Sequence, residues 1–101
     1  MIIVDKTVFF ECTGVEFDSD KGLFFRQLAI KSLVSLKKDI NESDQTSKDL
    51  SHRLKGIVAT LCNSEAIYLC KKLEQYDDLI EREDIYYYLK LFSESLINQL
   101  K

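Results

Sequence analysis

Proline is absent from this 101-residue chain, and glycine occurs only three times, at Gly14, Gly22 and Gly56. The residues that break helices and shape the turns of β-rich proteins are therefore nearly missing, and long helices are permitted throughout. Tryptophan is absent and histidine occurs once, at His52, so a histidine-rich metal centre is not expected. Cys12, Cys62 and Cys70 are odd in number and form no C-x-x-C pair, which suggests neither a disulfide framework nor a zinc site and fits a reducing, cytoplasmic compartment. No Walker A or other glycine-rich nucleotide loop is present. The apolar start "MIIV" is cut by Asp5 and Lys6, too short for a signal-peptide core or a bilayer span, so no membrane contact by this domain is expected. An excess of basic charge is lacking too. Fourteen Lys and Arg against seventeen Asp and Glu give a net charge of −3, which argues against a partner held through nucleic-acid phosphates.

What remains is 46% apolar and 31% charged residues, the balance of a globular protein rather than a disordered chain. A chain of this length can bury roughly two-thirds of its unfolded surface, so residues 1–101 are expected to form one domain without disulfide or metal.

Four segments carry helical periodicity. The first, 20 to 41, aligns Phe25, Leu28, Ala29, Leu33, Leu36 and Ile40, with Ser19 or Asp20 as N-cap. The second, 45 to 62, aligns Leu50, Leu54, Ile57, Val58 and Leu61. The third, 64 to 79, aligns Ala66, Leu69, Cys70 and Leu73 behind a cap at Asn63 or Ser64. The fourth, 82 to 100, aligns Ile85, Leu89, Phe92, Leu96 and Leu100. These amphipathic helices with short connections predict an all-α antiparallel up-and-down four-helix bundle. The stretch "VDKTVFFECTG" reads as a short helix packed across the bundle, capped by Asp5 and ended near Gly14, although "IIV" and "TVFF" are strand-like in composition. The aspartates of "DSDKG" belong to a helix start rather than an EF-hand, because Gly22 replaces an acidic ligand. Asp77, Asp78, Glu81, Glu83 and Asp84 read as a solvated acidic turn, and Lys71 and Lys72 as solvated helix surface.

Successive helical residues turn by roughly 100°, so with Leu50 at zero, Leu54, Ile57 and Leu61 fall within about 40° of it and His52 at about 200°. The histidine is expected to face away from the core, beside Lys48, Lys55, Gly56 and Ala59. A mid-helix glycine costs about 1 kcal/mol relative to alanine, and Gly56 with Ala59 leaves room for a second surface to approach the imidazole. Imidazole is a nucleophile near neutral pH, and Lys55, three residues on, is placed to neutralise a phosphoryl group upon it.

At these residues the chain resembles the histidine-containing phosphotransfer (HPt) domain family. The stretch "SHRLKGIVATLCNSEAIYLCKKLE", 51 to 74, is similar to the family pattern of histidine, any residue, aliphatic, lysine, glycine, then small and apolar residues leading into the next helix. His52, Leu54, Lys55 and Gly56 match directly, and "FDSDKGLFFRQLAIKSLVSLKKDI" resembles the preceding helix more weakly. The resemblance implies that His52 accepts a phosphoryl group from a receiver-domain aspartate and passes it to another receiver, in two-component signalling. It also implies that Lys55 stabilises phosphoryl charge, and that Lys48, Gly56 and Ala59 belong to the docking surface. No cofactor would be bound by this domain, since the receiver supplies Mg²⁺, and no autonomous catalysis or ATP binding is expected. The domain would be free-standing or the cytoplasmic C-terminal module of a membrane-bound hybrid sensor kinase. Two positions stand apart: Cys62 occupies a position where glycine is common in the family, and Glu74 and Gln75 lie where some members present a polar side chain to the histidine. The competing reading is a non-catalytic helical adaptor that binds a receiver or another protein.

Overall fold

The first four helices begin where a short polar side chain captures free backbone N–H groups. In a computed structural model that describes residues 2–42, 44–75 and 82–101, Asp5 Oδ1 accepts from Thr7 and Val8 and opens α1, Lys6–Thr13. Ser19 Oγ accepts from the Gly22 N–H and opens α2, Asp20–Glu42. Thr46 accepts from Asp49 and opens α3, Ser47–Val58. Asn63 Oδ1 accepts from Glu65 and Ala66 and opens α4, Ser64–Gln75. The last helix, α5, is Arg82–Leu100. Gly14, with φ 71°, closes α1 in the left-handed conformation that glycine adopts without strain.

The regular secondary structure of the described residues is thus all helical apart from one antiparallel bridge, Val4 with Cys62. Leu33, Leu36 and Ile40 of α2, Leu50, Leu54 and Val58 of α3, Cys70 of α4, and Ile85, Leu89 and Leu96 of α5 meet in a single core, closed at the N-terminal side by Ile2, Phe9 and Phe17. The radius of gyration, 13.4 Å, is that of a packed chain of this length. Helix α2 packs along α5, and Arg26 Nη1 donates to the Leu100 carbonyl, bringing the start of α2 to the end of α5. Helix α3 packs against α2, α4 and α5. Among the described residues His52, Gly56 and Ala59 lie on the face of α3 left exposed by these neighbours. No described helix is long and apolar enough to cross a membrane.

The N-terminal stretch combines both of its expected habits. Residues 2 to 5 run extended: the Asp5 N–H donates to the Leu61 carbonyl at 2.8 Å, the Val4 N–H to Gln99 Oε1, and Gln99 Nε2 to the Ile2 carbonyl. "TVFF" is helical, because the Asp5 cap and the burial of Phe9, edge-on to Phe17 at 5.2 Å, outweigh its β propensity.

Two expectations need correction. The helix expected over 45 to 62 stops at Val58, after which N–H groups of Thr60, Leu61 and Cys62 bond back to Ile57 and Val58 in a tight turn that turns Cys62 toward Val4. Phe25 and Leu28, placed on the core stripe of the first helix, are 36% and 47% exposed; they line an apolar groove of about 330 Å³ between α1, α2 and α3. Gly22, in the first turn of α2, is buried, and a Cβ there would collide with the backbone carbonyls of Glu16 and Phe17. The third predicted helix ends at Gln75 in the described residues, and 76–79 lie outside them, as do Asp77, Asp78 and Glu81 of the acidic turn.

Candidate functional site

The rotation of α3 is fixed from both flanks. Leu50, Leu54 and Val58 are fully buried. Arg53, about 300° round from Leu50, reaches α2, where Nη1 lies 2.7 Å from Asp39 Oδ2 and 3.0 Å from Gln45 Oε1. Lys55, about 140° round, reaches α4, where Nζ lies 2.8 Å from Glu74 Oε2. Between these two flanks His52 stands outward, its side chain 67% exposed.

The imidazole is nevertheless not free to turn. His52 Nδ1 lies 3.2 Å from Glu74 Oε1, so one carboxylate takes Lys55 on one oxygen and His52 on the other. The Glu74 side chain is 18% exposed and that of Lys55 27%, which makes the pair partly desolvated rather than a loose surface contact. The hydrogen bond from Lys55, with the charge of that ammonium and the hydrogen bond from His52, outweighs burial and holds the Glu74 carboxyl below its ordinary value. An ionised carboxylate only accepts hydrogen bonds, so the network assigns the ring proton to Nδ1 and leaves the lone pair of the neutral ring on Nε2. This is the arrangement by which a carboxylate orients an imidazole for nucleophilic or proton-transfer chemistry.

The residues around the ring fall where the helix arithmetic puts them. Gly56, one turn on from His52, is exposed, and a Cβ on it would meet nothing within 4 Å. Its φ is not positive. Neither backbone nor internal packing therefore requires glycine at this position. Ala59 is exposed at the C-terminal end of α3, its N–H bonded to the Lys55 carbonyl. Lys48 is exposed one turn before His52. Together with Lys55, Lys71, Glu74 and Gln75 it lines a hollow of about 260 Å³ between α3 and α4.

The sequence left the choice between Glu74 and Gln75 open. Glu74 is the residue that reaches the histidine, while Gln75 is exposed at the edge of the hollow. Its spacing carried a signal: Glu74 follows buried Leu73 and lies one turn beyond buried Cys70, so it flanks the core stripe on a half-buried position where a lone carboxylate needs a partner. Lys71, read as solvated surface, contributes to the same hollow. Cys62 and Cys70 are buried close to this site, and burial pushes their thiols up to about 11 and about 12 respectively, so neither offers a thiolate near neutral pH. Among the described residues no group of three or more His, Cys, Asp or Glu side chains gathers to hold a metal ion.

Comparison with protein-family models, with curated proteins and with solved structures finds no match for this chain.

Proposed function

We propose that this domain is a phosphorelay intermediate of the histidine phosphotransfer type. In this reading α2 to α5 form an antiparallel up-and-down four-helix bundle with α1 packed across it, working in the cytoplasm with the receiver domains of a hybrid kinase or response regulator. The observation that carries the proposal is the exposed His52 side chain held through Nδ1 by Glu74.

Phosphoryl transfer depends on positioning and charge compensation more than on covalent chemistry by the protein. The Nε2 lone pair attacks the phosphorus of an aspartyl phosphate on the receiver. The N–P bond forms as the acyl O–P bond breaks, and the electron pair returns to the aspartate as carboxylate. The imidazole, still carrying its Nδ1 proton, becomes cationic, and Glu74 lies next to that developing charge. Lys55 keeps Glu74 ionised and in place. The reverse sequence delivers the phosphoryl group to a second receiver. Mg²⁺ belongs to the receiver in this scheme, and Gly56, Ala59 and Lys48 form the surface on which it docks.

Incubation with a receiver carrying aspartyl phosphate tests the reading: label should appear on the chain, survive alkali, be lost in acid, and be absent from a His52→Gln variant. Failure of transfer from every cognate receiver, or equal labelling of the variant, refutes it. The adaptor reading draws on the apolar groove that Phe25, Leu28 and Ile57 line on the α2 side of α3. It requires receiver binding with no label on the wild-type chain.

A further inference from the structure

A phosphoryl group on His52 brings two negative charges to a place already occupied by the Glu74 carboxylate. The sequence motif alone would hand those charges to Lys55. Yet Lys55 Nζ lies 2.8 Å from Glu74 Oε2, with both side chains more than two-thirds buried. Withdrawing Lys55 would leave Glu74 half-buried, unpaired on that oxygen and next to a dianion, the most unfavourable arrangement open to the site. Two other ammonium groups face no such conflict. Lys48 on α3 is exposed and, four residues before His52, is its neighbour on the helix surface. Lys71 on α4 is exposed and lies one turn before Glu74. Both line the same hollow, about 260 Å³, as Lys55 and Glu74, the carboxylate that holds His52. Lysine carries its charge on a flexible four-carbon stem, so either ammonium can swing without disturbing a bond the fold depends on.

We propose that this hollow is a phosphoanion site in which Lys48 and Lys71 hold the phosphoryl group once it is on His52, while Lys55 remains on Glu74. The inference rests on the phosphoacceptor reading of His52. It assigns the charged groups on both helices that flank the ring: Lys55 and Glu74 form an internally neutral pair that orients the imidazole, and Lys48 and Lys71 supply the net positive charge.

Phosphoramidate provides a test that needs no receiver. Nε2 attacks its phosphorus, the P–N bond to the amine breaks, and ammonia leaves. Phosphorus NMR then reads the pH at which the phosphoryl group on His52 takes up a proton, together with the lifetime of the N–P bond. Lys48→Ala and Lys71→Ala should each raise that titration and shorten the lifetime on the order of two- to five-fold, as expected of partly exposed charge contacts. The double variant should exceed either, and Lys48→Arg should restore the wild-type titration. The inference is overturned if Lys48→Ala and Lys71→Ala behave as wild type. Absence of any phosphohistidine signal from the wild-type chain overturns the phosphoacceptor reading itself, and this inference with it.

Discussion

His52 and Glu74 stand 22 residues apart in the chain, and their side chains meet at 3.2 Å across the α3–α4 interface. The unit that orients the imidazole is therefore shared between two helices, and its geometry depends on the packing that joins them. Leu54 and Val58 on one side and Cys70 and Leu73 on the other are buried within the same core. A core change that slides α4 along α3 would separate Glu74 from the ring without touching either residue.

Replacing Glu74 by Gln keeps the shape and removes the charge. A hydrogen bond to a charged group is worth roughly 1.5–3 kcal/mol, so phosphate uptake by His52 should slow on the order of 10- to 100-fold, with helicity unchanged. The rate of label incorporation from phosphoramidate at fixed pH measures this. An unaltered rate would show that Glu74 does not assist the ring.

The same carboxylate sets a pH dependence of stability. Glu74 is held below its ordinary value of 4.5 in the folded state, so its ionised form stabilises the fold above that value. The contribution is lost as pH falls through the depressed value, where folded and unfolded chains alike become protonated at this position. Denaturant midpoints of the wild type and Glu74→Gln should differ at about pH 7 and converge as pH falls below the depressed value. A constant gap across that range would contradict the ion pair.

Gly56 separates docking from chemistry. Because a Cβ at this position meets nothing within 4 Å, Gly56→Ala should raise stability by about 0.5–1 kcal/mol through the unfolded state. If a receiver must approach the ring over this spot, the same variant should take phosphate from a receiver several-fold more slowly while reacting with phosphoramidate at the wild-type rate. Thermal denaturation and the two rates together are the check, and equal receiver rates would remove Gly56 from the docking surface.

What the sequence made legible was periodicity. The helical character of the five elements among the described residues, the cap at Asp5, the caps narrowed to Ser19 or Asp20 and to Asn63 or Ser64, and the outward rotation of His52 all follow from spacing and side-chain type, the structure choosing Ser19 and Asn63. The stripe rule failed at Phe25 and Leu28, because the early part of α2 extends past the buried layer into the region beside α1, where an apolar side chain lines a groove instead. Gly22 was opaque because its demand is set by the chain folding back at Glu16 and Phe17, a contact that no helical period encodes. Glu74 was only half legible. Periodicity places it at the edge of the core, but the partner that makes it functional lies on another helix.

Cys62 concentrates these limits. A glycine at the end of a helix is usually required where the chain enters the left-handed region, yet among the described residues only Gly14 has positive φ. Helix α3 instead ends through successive bonds back to Lys55, Ile57 and Val58, a route open to any L-residue, and Cys62 then packs at 1% exposure and bridges to Val4. The thiol thus acts as a small buried hydrophobe that fastens the N-terminal segment to the turn below the site. Restoring glycine should therefore weaken the fold, by about 1–3 kcal/mol from the lost side chain and the added backbone freedom, with no gain in phosphate transfer. Urea denaturation of Cys62→Gly measures the loss. Alkylation gives a second reading on the native protein. With its thiol pushed up to about 11, and that of Cys70 to about 12, both should resist iodoacetamide at neutral pH while exposed Cys12 reacts. Rapid labelling of Cys62 in the folded chain, or a glycine variant as stable as the wild type, would show that the N-terminal segment is not fastened there.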